Sequence, residues 1–280
     1  MKTRKMILSI ILSLLALVVA QILSQLVASI AMLVKIPSFI ANILAGILYV
    51  VFAYLLIKLL CEKYIKGDMS DYNIPSFKIE MKWCVVAVLL PLIITAFYIL
   101  FVPGSFEKNV LDINSKLELL SAGIFFTGLG AGIVEEMVFR GIMMRVIEKR
   151  FNKKIAIIVP SVLFGLVHII GMGFNILSCA LVLLAGTMVG IMFSLIASET
   201  KSIWNSAIVH ALWNIIIIGG ILWIGTEFDE YSLFSYVLDA KSFLLTGGEF
   251  GIESSIIAVI GYGLVCLLVI LPNKKKSESA

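Results

Sequence analysis

Residues 128–141 read Gly-Leu-Gly-Ala-Gly-Ile-Val-Glu-Glu-Met-Val-Phe-Arg-Gly, and the reading of the whole chain turns on them. They lie inside an apolar run, 118–147, that is long enough to cross a bilayer. Charged side chains in such a run each cost roughly 2.5–3.5 kcal/mol at a helix centre. A run serving only as an anchor would hold Leu or Ala at Glu135, Glu136 and Arg140. The other helices are therefore expected to supply partners for these three groups.

Working outward, the 280 residues are 61% hydrophobic and 14% charged, with a mean hydropathy of +1.09. That charged fraction is far below that of a soluble domain. The chain reads as an all-α polytopic membrane protein with about eight transmembrane helices, near 6–34, 38–60, 83–102, 118–147, 155–170, 175–197, 203–224 and 254–271. The first segment is near twice the length of a signal-peptide core and reads as a retained helix. The fifth ends at the Gly-Met-Gly of 171–173, and the last four residues, 277–280, are expected to be disordered. Three parts follow: 1–117 with three helices, 118–224 as a four-helix core, and 225–280 with an acidic loop, a last helix and a basic tail.

Lys and Arg number fifteen in the amino terminus, 61–82, 148–154, 198–202 and the tail, against four in the alternate loops. This bias puts both termini in the cytoplasm. It also explains the net charge of +4 as an orientation signal, so no nucleic-acid partner is expected. The lipid bilayer is the partner that this composition implies. Cys61, Cys84, Cys179 and Cys266 show no paired spacing and read as small apolar fillers. Ser9, Ser13, Ala16, Ala20 and Ser24 form a small-residue stripe, with Gln21 and Gln25 placed to hydrogen-bond inside the bundle. Gly186, Gly190 and Ser194 read as a packing stripe, and the acids of 225–252 as a solvated surface.

The polar residues within segments 4 to 7 are few. Segment 4 carries Glu135, Glu136 and Arg140; segment 5 carries His168; segment 7 carries His210 and Asn214. The chain has only two histidines, and both are in this set. At about 1.5 Å per residue, Glu135, His168 and Asn214 fall about 18–21 Å from the cytoplasmic helix ends, with His210 about 12 Å in. Glu136 and Arg140 are four apart in the order that favours an ion pair. Glu135 points about 100° away, with no partner on its own helix. Phe164 with His168, and His210 with Asn214, share faces in the same way. Gly128 and Gly132 let another backbone come close.

Amide hydrolysis needs a base for water, donors for the developing oxyanion and a proton for the leaving amine. Glu135 with His168 can supply the first and third, and His210 with Asn214 the second. Water then attacks directly, with no Ser or Cys nucleophile and no cofactor. One Glu with two His is also a zinc ligand set, so a metalloprotease stays open, although no His-Glu-x-x-His motif is present.

At these residues the sequence resembles the CPBP (Abi) family, which groups CaaX prenyl endopeptidases with bacteriocin-processing and immunity proteins. Glu135, Glu136 and Arg140 match its Glu-Glu-x-x-x-Arg motif. Phe164 and His168 match Phe-x-x-x-His, and His210 and Asn214 match His-x-x-x-Asn. The resemblance spans about 120–220 and implies an intramembrane glutamic endopeptidase without a metal. Glu135 and His168 would activate water and His210 and Asn214 would form the oxyanion hole. Glu136, Arg140 and Phe164 would give support. Its substrate would be a prenylated protein or a peptide precursor. A non-catalytic immunity or regulatory protein is the further alternative.

Overall fold

The computed structural model describes residues 1–170, 172–173 and 175–278, with backbone alone for 273–278. Gly171, where the fifth segment is expected to stop, lies outside the described residues, as do Ser279 and Ala280.

Among the described residues, helices cover the apolar runs. They are α1 (Thr3–Leu33), α2 (Ser38–Ile65), α3 (Met81–Phe101), α4 (Ile113–Glu148), α5 (Lys153–Val167), α6 (Ile176–Thr200), α7 (Ile203–Ile218) and α8 (Ile256–Glu278). Five of them, α1 to α4 and α6, are long and apolar enough to cross a membrane. Their outer faces carry large apolar groups such as Ile22, 60% exposed, Ile93, 62%, and Leu100, 72%. Lipid, not water, suits that surface. The chain is a multi-pass membrane protein.

Several expectations are corrected. The chain is mostly helical, but a small sheet joins the helices. Strands β1 (Gly104–Lys108), β2 (Leu222–Gly225) and β3 (Phe234–Leu238) make a small sheet in the order β1-β3-β2, with β1 antiparallel and β2 parallel to β3. Segment 7 ends at Ile218, not 224, because Gly220 takes a positive φ of 76° and turns the chain into β2. Segment 5 ends at Val167, leaving His168 as its carboxy-terminal cap. Ser277 and Glu278 continue α8 rather than fraying. Gln21 and Gln25 point outward; the stripe of Ser9, Ser13, Ala16, Ala20 and Ser24 is buried, and its serines bond to their own helix's carbonyls. All four cysteines are free thiols.

The buried apolar residues form two main bodies. One joins α1, α2, α4, α5 and the start of α7; the other joins α3, α6, α7, α8 and the sheet. The carboxylates of α4 stand at the seam between them. Small residues bring the seam's helices together. A Cβ on Gly132 of α4 would lie 2.8 Å from the backbone of Ala211 on α7, and one on Gly186 of α6 would lie 2.6 Å from Gly165 of α5. Gly186, Gly190 and Ser194 thus pack α6 on α5, with Ser194 Oγ 3.3 Å from Ser161 Oγ. The 61–82 segment ties down the same seam. Asn73 donates to Arg140 O at 3.2 Å and accepts from Ile203 N at 2.8 Å.

Candidate active site

The helix that carries the carboxylates is not a uniform α-helix. π-helical turns at Ala122–Ala131 and Met137–Met143 flank the α-turn Gly132–Glu136, and a further π-turn, Asn214–Ile218, opens on Asn214. Wide turns of this kind re-aim side chains and recur at functional sites.

Behind the cavity sits a sealed ion pair. Arg140 Nη1 donates to Glu136 Oε1 at 2.9 Å, and both side chains are 0% exposed. Arg140 Nη2 donates to Gly190 O at 3.3 Å. The guanidinium also faces the Phe164 ring at 4.4 Å and the Phe193 ring at 5.1 Å. Cation–π contact offsets part of the cost of burying the charge. Among the described residues, Glu136 Oε2 and Arg140 Nε have no hydrogen-bond partner.

His210 couples this pair to the open side. Its Nδ1 lies 3.2 Å from Glu136 Oε1, and its Nε2 lies 3.8 Å from Glu135 Oε2. A carboxylate accepts, so Nδ1 donates to Glu136 and presents Nε2 to Glu135. The ring stacks on Phe193 at 4.7 Å, which fixes its plane. Glu135 keeps 23% of its side chain open, and its Oε2 has no hydrogen-bond partner. Asn214 Nδ2 donates to Thr127 O at 2.9 Å, which leaves its second N–H available. His168 Nδ1 lies 2.7 Å from Phe164 O. A carbonyl only accepts, so Nδ1 carries the proton and Nε2 is left for chemistry.

Glu135, Phe164, His168, His210 and Asn214 all line one cavity of about 200 Å³. Glu136 and Arg140 stand behind it. All seven sequence-derived residues are thus brought into one neighbourhood, although Glu135 and His168 share the cavity without a direct hydrogen bond. Among the described residues, no three His, Cys, Asp or Glu side chains are grouped to hold a metal ion.

Sequence reasoning missed several members. Phe193 and Gly190 on α6 carry no motif, and Thr127 contributes only its carbonyl. Phe250, Glu253 and Tyr262 also line the cavity, from the segment before α8 and from α8 itself. The acids of 225–252 are largely at the surface, with Glu227, Glu230, Asp239 and Glu249 exposed. Glu253, just past them, is not.

Residues 117–216 match a family model described as Type II CAAX prenyl endopeptidase Rce1-like. This match supports a CPBP-like core. The chain is also 21% identical over 182 residues to "Putative membrane peptidase YdiL" of Bacillus subtilis (strain 168), an alignment covering 63% of this chain and 69% of that protein. No solved structure matches. The CPBP segment contains all seven motif residues from Glu135 to Asn214, whereas Glu253 and Tyr262 lie beyond it.

Proposed function

We propose that this protein is an intramembrane endopeptidase that hydrolyses a peptide bond in a membrane-associated substrate with water activated by Glu135 and His168. The observation that carries the reading is the convergence of Glu135, His168, His210 and Asn214 on one partly open cavity. The family match and the peptidase relative support a membrane protease; the mechanism and the substrate are our own reading.

In this mechanism a water held between Glu135 and His168 Nε2 loses a proton to the carboxylate as its oxygen attacks the scissile carbonyl. The developing oxyanion takes a hydrogen bond from Asn214 Nδ2, and a second from Nε2–H of His210 in its doubly protonated form, whose Nδ1–H stays on Glu136. Each such donor is worth about 2.7–4 kcal/mol in a water-excluded site. The tetrahedral species collapses with breakage of the C–N bond, and the nitrogen leaves with a proton from the site. Glu136 and Arg140 hold His210 from behind. Phe164, lying between the guanidinium and both imidazoles, separates the sealed side from the open one.

The substrate class is a prenylated CaaX-type protein or a peptide precursor, by analogy with the family. Eight crossings with both termini cytoplasmic, and the three-part division at 117/118 and 224/225, complete the proposal. The test is hydrolysis by the purified protein in detergent micelles, with farnesylated CaaX peptides and unmodified leader peptides as substrates, read by mass spectrometry. The proposal expects cleavage that survives a chelator and is lost in His168→Ala. Cleavage lost to the chelator and restored by zinc would replace it with the metalloprotease. Cellular function unchanged by Glu135→Ala and His168→Ala would replace it with a non-catalytic role.

A further inference from the structure

The cavity holds a second carboxyl that no motif contains. Glu253 sits on a single turn, Ile252–Ser254, between the glycine-rich 247–251 segment and α8. Its position is fixed from several sides. Ile252 is buried in the second apolar body. Ser254 Oγ donates to Gly247 O at 2.6 Å, and Tyr262 Oη donates to the Glu253 carbonyl at 2.9 Å. The backbone is thus used for structure, while Glu253 lines the same cavity as Glu135 and the Trp213 indole. Trp213, Asn214 and Glu253 line the same cavity, so the Glu253 carboxyl shares it with the oxyanion donor.

Two carboxyls line this one cavity, and the charge of either disfavours the charge of the other. Where a fold sets two such groups in different environments, one serves as base and the other as acid. Glu135 has the coupled His210 beside it. Glu253 has an indole and a phenol ring wall, and no cation among its described partners. Burial pushes the Glu253 carboxyl up to about 7; the Trp213 hydrogen bond opposes this and the charge of Glu135 adds to it. The titratable groups around it are Glu135, His168, His210 and Tyr262 in the cavity, Glu249 on the preceding turn, and Tyr98 on α3, whose hydroxyl donates to Leu245 O.

We propose that Glu253 is the acid partner of Glu135 and delivers the proton to the leaving amine. This inference rests on the hydrolase reading. The balance is complete. Glu135 takes one proton from water as the C–O bond forms. Glu253 gives its proton to the nitrogen as the C–N bond breaks. Glu135 then returns its proton to Glu253 through water, and the net change is addition of one water across the amide.

The test uses full-length protein in nanodiscs with the same farnesylated and unmodified peptides. Glu253→Gln is expected to lower kcat about 100-fold or more with KM within twofold. Because an acid must be protonated to act, the wild-type kcat should fall as pH rises through about 7. Glu253→Gln should lose that fall and Glu253→Asp should keep it. Infrared difference spectra of wild type against Glu253→Gln, taken without substrate at pH 6, should show one carboxylic C=O stretch lost. Should Glu253→Gln not fold, Glu253→Asp carries both readouts. Wild-type turnover and pH profile in Glu253→Gln, with Glu135→Gln inactive, would overturn this inference and leave the hydrolase reading standing. Full activity in Glu135→Gln would instead overturn the hydrolase reading. An absent carboxylic band would overturn the role of Glu253 whatever the kinetics show.

Discussion

Glu135 and Glu136 are neighbours in the chain and opposites in the structure. Glu136 is sealed, with its guanidinium at 2.9 Å, aromatic faces around the cation and no path to solvent. Glu135, a third of a turn away, has no guanidinium beside it and keeps 23% of its side chain open at the cavity. Burying a paired charge serves structure, whereas leaving a carboxyl part-open at a cavity serves chemistry. The difference teaches that an intramembrane acid is read from what surrounds its oxygens, since depth and residue type are shared by both.

Breaking the sealed side should cost the most in stability. Arg140→Ala leaves Glu136 buried without its cation and is expected to destabilise the protein by about 3–5 kcal/mol. Unfolding followed by intrinsic fluorescence in detergent reads this loss. Replacing both partners, Glu136→Gln with Arg140→Met, should recover most of it, because no lone charge remains.

The open side should respond in rate and not in stability. Asn214→Ala removes one oxyanion donor and should lower kcat about 100- to 1000-fold. Its unfolding transition should shift by less than that of Arg140→Ala. Equal effects on stability would erase the contrast.

Between the two lies the seam itself. Gly132→Ala puts a methyl group 2.8 Å from the Ala211 backbone. The resulting overpacking should cost about 1–3 kcal/mol and move Glu135 away from His210. Both unfolding and turnover should change in this variant, unlike either neighbour.

The smallest effect is expected at the surface. Lys58 and Glu62 make an exposed i, i+4 pair at 3.8 Å. Glu62→Ala should change stability by about 0.5 kcal/mol or less, which the same unfolding measurement resolves against Arg140→Ala.

Much of this was legible before any coordinates. Four-residue spacing puts Glu136 with Arg140 and Phe164 with His168, and both pairs meet as helical geometry requires. Rare polar residues in apolar helices are costly, so they converge where they can satisfy one another. The π-turns were not legible, because no local residue pattern marks them. The sheet was hidden because β1 pairs with a strand about 130 positions away, which local periodicity cannot register. Segment 7 was read too long because Leu222-Trp223-Ile224 continues the apolar run across the Gly219-Gly220 break. Glu253 escaped notice because it borders an acidic loop, and only the folding of that loop over the cavity separates it from its exposed neighbours.

The central claim is that Glu135 makes this cavity a hydrolytic one. The direct measurement is quantitative mass spectrometry of peptides from native membranes holding equal amounts of wild-type protein or Glu135→Gln. The account predicts a set of cleaved ends present with wild type and missing with the variant, whose unfolding transition stays at the wild-type position. Identical peptide profiles from the two membranes would contradict it.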